Sequence, residues 1–181
     1  HIELPSSLKA ADRTAEQFLA LMRESDLALE ELITYYSQCD EPTLVVFFGD
    51  HQPPLANAFY EALYGKKLSE RTTEEVLRQY AVPFFIWANY DIEERQDVVV
   101  SPNFLGVLTA QTAGLPLTGY MEFLAELYEV MPAITPVGFV TADGQFLKKS
   151  ELSQEQKDWL WKYEVLNYCG MVDLFDEARP M

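Results

Sequence analysis

Thr43-Leu44-Val45-Val46-Phe47-Phe48-Gly49-Asp50-His51-Gln52 is the stretch on which the fold of this chain turns. A run of large apolar residues without polar alternation fits a strand covered on both faces, as in a parallel α/β sheet. Gly49 then permits close backbone approach or an unusual φ, and Pro53-Pro54 stop the strand from continuing. Asp50 and His51 therefore fall just past the carboxyl end of a strand, where open α/β sheets place their active sites. A carboxylate beside an imidazole is half of a ligand set for Zn²⁺, Mn²⁺ or Mg²⁺, the carboxylate favouring the harder ions. On an ideal strand the two side chains would point to opposite faces, so both reach one ion only if the backbone bends here. The pair also has a plain structural reading, with Asp50 capping the turn and His51 hydrogen-bonded at the surface.

Outward from this stretch the pattern is mixed helix and strand. Ala15, Phe18, Leu19, Met22, Leu29, Leu32, Ile33 and Tyr36 recur at helical spacing and predict one long amphipathic helix from Thr14 to Gln38, with Asp26 at the edge of the stripe. Residues 52–79 read as a loop that leaves the sheet and returns, with a short helix capped by Thr72 or Thr73 and running through Arg78. Val82 to Ala88 reads as a second buried strand with Pro83 near its start. Ser101-Pro102 opens a helix that Gly114 ends, and Phe104, Leu105, Val107 and Leu108 form its inner face. Thr118 caps the next helix, whose stripe is Tyr120, Phe123, Leu124, Leu127 and Met131. Val137 to Leu147 predicts a hairpin turning at Asp143-Gly144. Ser153 and Gln156 form a capping box for a closing helix to Gly170. Trp159, Trp161, Tyr163 and Tyr168 on that helix read as a packing face rather than a sugar platform, and Glu74-Glu75 and Glu93-Glu94 as solvated surface.

The chain has 181 residues, is 49% hydrophobic and 13% aromatic, and carries a net charge of −16. Those values suit a globular domain and argue against binding nucleic acid, whose phosphates this surface would repel. They argue equally against docking on an anionic membrane. With no apolar stretch near the roughly 20 residues a membrane helix needs and no signal peptide, this stretch is expected to be soluble. Cys39 and Cys169 match no zinc spacing, suit buried small hydrophobes, and do not decide the compartment. The first residue is His1, so the chain is read as beginning mid-protein, after processing, or at an engineered boundary. G-x-S-x-G, P-loop and G-x-G-x-x-G motifs are missing.

From Pro42 to Pro53 the sequence resembles the sulfatase-like branch of the alkaline phosphatase superfamily, specifically the lipoteichoic acid synthase and phosphoglycerol transferase proteins. Those have a Gly-Asp-His segment, often followed by Pro, after an apolar strand. Ser25 to Glu30, Tyr80 to Tyr90 with Pro83-Phe84-Phe85-Ile86-Trp87-Ala88, Ser101-x-Asn103-Phe104-Leu105 and the aromatic Tyr163 to Tyr168 extend the likeness. Cys169 departs from it, standing where an acidic residue is more usual. The resemblance implies an alkaline-phosphatase-like α/β/α sandwich with a mostly parallel sheet and a C-terminal hairpin plus helix. Residues 1–181 would be a single domain, the C-terminal portion of a sulfatase-like catalytic domain whose N-terminal part is missing. It implies Asp50 and His51 as two metal ligands, with a divalent metal as cofactor, Mn²⁺ ahead of Mg²⁺ or Zn²⁺. It places the threonine nucleophile, a further acidic ligand and a substrate-binding histidine upstream, so no catalytic residue is assigned here and none to His1. The implied chemistry is transfer of glycerol phosphate from a phospholipid to a cell-envelope acceptor, on the extracellular face of a membrane reached through an absent N-terminal region, in a Gram-positive bacterium typically. The chain alone is then expected to be inactive. Hydrolysis of sulfate or phosphate esters is the alternative within the class, and a non-catalytic envelope-binding module the alternative outside it. Neither Cys39 nor Cys169 stands in the C-x-[PA]-x-R setting of a formylglycine sulfatase.

Overall fold

The computed structural model describes residues 3–177, with side chains through Gly170. It is a mixed helix and sheet structure that divides into two compact units, residues 1–96 with 109–115, and 97–108 with 116–181.

The first unit opens with α1 (Ser6–Ala11) and α2 (Ala15–Tyr36), followed by β1 (Leu44–Phe48). Then come α3 (Asn57–Tyr64), a 3₁₀ turn (Leu68–Glu70), α4 (Thr73–Tyr80) and β2 (Phe84–Ala88). Its buried core is small: Ala15, Phe59 and Tyr60, against which Leu4, Leu8, Ala11, Leu55 and Tyr64 pack. The predicted long helix is α2, but its stripe is mostly half-buried rather than buried. Ala15 is its buried residue, while Met22 and Leu32 are exposed. Asp26 is likewise exposed rather than at a half-covered edge.

β1 and β2 form where the apolar runs predict them, but they pair antiparallel, Leu44 opposite Ala88 and Phe48 opposite Phe84. The mostly parallel sheet expected from the sequence is absent from the described residues, where both sheets are antiparallel. An apolar run reports that a strand is to be covered; it does not encode the direction of the neighbour. Nor are the two strands buried: every residue of β2 is half-buried, and Phe48 at the end of β1 is 51% exposed. Each strand pairs only with the other among the described residues, leaving one edge of each open.

The loop expected over 52–79 is more ordered than its prolines suggest. α3 buries Phe59 and Tyr60 and ends at Gly65, which takes a left-handed φ of 67°. That glycine is a helix C-terminal stop. Thr72 caps α4 as predicted: its hydroxyl accepts from the Glu75 N–H while the Glu75 carboxylate accepts from the Thr72 N–H. Glu75 is therefore a capping residue, not merely solvated surface.

The second unit holds most of α5 (Pro102–Thr112), then α6 (Gly119–Val130), the three-stranded antiparallel sheet β3 (Ala133–Thr135), β4 (Gly138–Val140) and β5 (Phe146–Leu147), and α7 (Gln154–Glu177). Phe104, Val107, Leu124, Leu127, Met131, Phe139, Leu152 and Leu160 form its core. The hairpin turns at Asp143-Gly144, with Gly144 at φ 77°, and Ser153 with Gln156 closes the capping box of α7. α7 continues past Gly170, and β3 is a strand the sequence pattern did not reveal. The aromatic residues of α7 split: Trp159 packs against Phe123 at 5.7 Å, whereas Trp161 and Tyr168 are exposed. Both cysteines are free; Cys39 is half-buried and Cys169 exposed, so neither is the buried small hydrophobe expected.

Candidate metal centre at the end of β1

Gly49 positions the turn through its lack of a side chain. A Cβ built there would lie 2.9 Å from the Val82 Cβ, and the Gly49 N–H donates to the Pro83 carbonyl at 3.1 Å. Of the two reasons a glycine suits this place, close approach applies and positive φ does not. The Gln52 amide reaches across to the Ala81 carbonyl, and the Tyr60 hydroxyl donates to the Pro53 carbonyl at 2.7 Å. Residues 81–83 thus hold the turn from below, and Pro53 is pinned from α3.

At this bend the two candidate ligands converge. His51 Nε2 and Asp50 Oδ2 lie 3.3 Å apart, and Asp50 Oδ1 accepts from the His51 N–H at 2.8 Å. His51 Nδ1 lies 2.9 Å from the Gln52 carbonyl, which can only accept, so Nδ1 carries the proton and Nε2 faces the carboxylate. A neutral imidazole lone pair facing a carboxylate at this distance is repulsive unless a proton or a cation lies between them. Two ligands about 2.0–2.1 Å from one tetrahedral ion stand about 3.3–3.4 Å apart. A metal-binding histidine commonly gives its other N–H to a backbone carbonyl, as His51 does here. The donor set therefore fits a divalent cation as two of its ligands. It fits as no more than two: among the described residues no group of three or more His, Cys, Asp or Glu could hold a metal. The side chains are 72% exposed for His51 and 83% for Asp50, so protein surrounds the pair on one side only.

Asn89, directly after β2, fastens the opposite end of β1 from the candidate ligands. Its Nδ2 donates to the Tyr36, Cys39 and Glu41 carbonyls at 3.2, 2.9 and 2.9 Å, and its Oδ1 accepts from the Thr43 N–H at 2.8 Å. One amide thereby closes the end of α2, the connection to β1 and the end of β2. Neither this role nor those of Gln52 and Val82 was predicted, because each depends on a partner 29 or more positions away or on a contact with a glycine. Asparagine directly after an apolar strand was the one local signal.

Asp50 and His51 thus lie side by side just past the carboxyl end of β1 in a mixed α/β chain. Residues 5–115, more than half of the sequence, match the Sulfatase family, and the chain belongs to that family, within the alkaline-phosphatase-like superfamily. It is 26% identical over 132 residues to a protein of Rhizobium meliloti (strain 1021) named for cyclic beta-1,2-glucan modification, covering 71% of this chain and 21% of that protein. It also aligns with the structure of Streptococcus pyogenes phosphoglycerol transferase GacH in complex with sn-glycerol-1-phosphate, at 22% identity and a TM-score of 0.47. That alignment covers 76% of this chain and 28% of GacH. The chain thus spans between a fifth and a third of the length of these relatives. Among the described residues no helix is long and apolar enough to cross a membrane.

Proposed function

We propose that this chain is part of a metal-dependent phosphoglycerol transferase acting on a cell-envelope polymer or lipid, in which Asp50 and His51 are two of the metal's ligands. The observation that carries the proposal is the 3.3 Å approach of His51 Nε2 to Asp50 Oδ2 with Nδ1 already committed to the Gln52 carbonyl. A bound divalent ion, Mn²⁺ ahead of Mg²⁺ or Zn²⁺, would lower the pKa of a ligated nucleophile and neutralise charge on the transferred phosphate. Asp50 supplies anionic charge, His51 a neutral nitrogen, and Gly49 lets the turn seat against Val82. With two donors among the described residues, the nucleophile and remaining ligands come from the rest of one catalytic domain to which both units here belong; alone, the 181 residues are inactive. A match that begins in one unit and takes in part of the other supports that single-domain reading. The name of the Rhizobium relative, which concerns a glucan, favours a saccharide among the acceptors.

Ester hydrolysis is the second reading, favoured by the family's own description. The test is the full-length protein with Asp50→Ala and His51→Ala together, assayed with Mn²⁺ for glycerol-phosphate transfer and for release of free glycerol phosphate, sulfate or phosphate. Loss of transfer supports the proposal; loss of release with no transfer in the wild type selects hydrolysis. Full turnover in the double variant would make the fold a binding module.

A further inference from the structure

A cleft of about 400 Å³ in the second unit lies between the β3–β4 turn and α7. That is within the range of small-ligand sites. Phe139 and Leu160, both buried, form part of its apolar floor, and Lys148, Lys149, Tyr163 and Glu164 line its polar side. Lys149 pairs with Glu164 at 3.2 Å. Lys148 has no ion pair, and the Tyr163 hydroxyl no hydrogen bond, among the described residues. In a chain with 29 acidic and 13 basic residues, a cleft with two lysines and one carboxylate is a local reversal of charge.

We infer that this cleft binds a phosphate-bearing saccharide. The Lys148 ammonium takes the phosphate in charge-assisted hydrogen bonds, the Tyr163 hydroxyl and the Lys149–Glu164 pair meet ring hydroxyls, and the apolar floor with Phe139 and Leu160 meets the C–H face of the ring. No residue of Asp50–Gln52 lines the cleft, so the inference stands apart from the metal reading.

Glucose 6-phosphate, inorganic phosphate and glucose, each titrated at constant ionic strength and followed by amide chemical shifts, test it. Saturable shifts confined to residues 134–139, 148–149 and 160–164 are expected, stronger for glucose 6-phosphate than for either component. Lys148→Gln should weaken that binding about tenfold or more, the loss of one charge-assisted hydrogen bond. Asp50→Ala with His51→Ala should leave it unchanged. A non-saturable response, one no stronger than that to phosphate alone, or an unaltered affinity in Lys148→Gln overturns the inference. Calorimetry on the full-length protein with the same ligands and variants reads the same outcomes should the 181-residue chain not fold alone.

Discussion

Gly49→Ala sets two opposed effects against each other at the base of the candidate metal centre. The added Cβ meets the Val82 Cβ at 2.9 Å and its two methyls at 3.3 and 3.4 Å, whereas carbon atoms pack best at about 3.5–4.0 Å. A Cβ cannot rotate out of the way, so the backbones must part, against the 3.1 Å hydrogen bond from the Gly49 N–H to the Pro83 carbonyl. Overpacking of this kind costs about 1–3 kcal/mol. Alanine also reduces the freedom of the unfolded chain, which offsets about 0.4–1 kcal/mol where the backbone tolerates it, and Gly49 has no positive φ to forbid it. The net expectation is a loss of up to about 2.6 kcal/mol, centred near 1.3 kcal/mol, or about 3 °C in melting temperature for a chain of this size. Calorimetric melts of a double-mutant cycle locate the cause. Val82→Ala keeps the Cβ at 2.9 Å, so it should rescue Gly49→Ala only in part, whereas Val82→Gly removes that atom and should rescue it by about 1 kcal/mol more. A cycle between Gly49→Ala and Val82→Gly showing no coupling would refute the reasoning.

Asn89→Ala should destabilise the first unit by about 2–3 kcal/mol, since it strips a partner from three carbonyls and the Thr43 N–H; urea melts check it, and a change under 1 kcal/mol would contradict the fastener role. The Lys66 ammonium, with the Thr72 N–H, holds the Glu75 carboxyl below its ordinary value. A folded pKa below the unfolded one means the contribution is present above the unfolded value and is lost as pH falls through the folded one, here below about 4.3. Carboxyl NMR titration should therefore find the Glu75 midpoint low in the wild type and raised in Lys66→Met; equal midpoints would remove Lys66 as the cause.

What was legible in the sequence was whatever neighbouring residues decide among themselves. The apolar runs at 44–48 and 84–88, a threonine cap at 72–73, the capping box at Ser153 and the Asp143-Gly144 turn all depend on residues within a few positions, and all are present. Strand direction was not legible, because the pairing of Leu44 with Ala88 is made across the chain rather than along it. α3 was hidden because Pro53, Pro54 and Gly65, which bracket it, carry the same signal as a loop. The half-buried state of β1 and β2 escaped prediction for a related reason: cover depends on what packs against a strand, and a two-stranded pair covers little. At the site itself, the adjacency of Asp50 and His51 was readable, but their turn to one side rests on Gly49 fitting against Val82 and on the Gln52 amide reaching Ala81.

Calorimetric titration of Mn²⁺ tests most directly whether Asp50 and His51 hold a cation within a larger ligand cage. Weak or undetectable binding is predicted for the 181-residue chain, since two exposed donors are fewer than a stable site needs. Tight binding is predicted for the full-length protein, with a loss of at least tenfold on Asp50→Ala with His51→Ala. Sub-micromolar affinity in the short chain, or an unchanged affinity in the full-length double variant, would contradict the account.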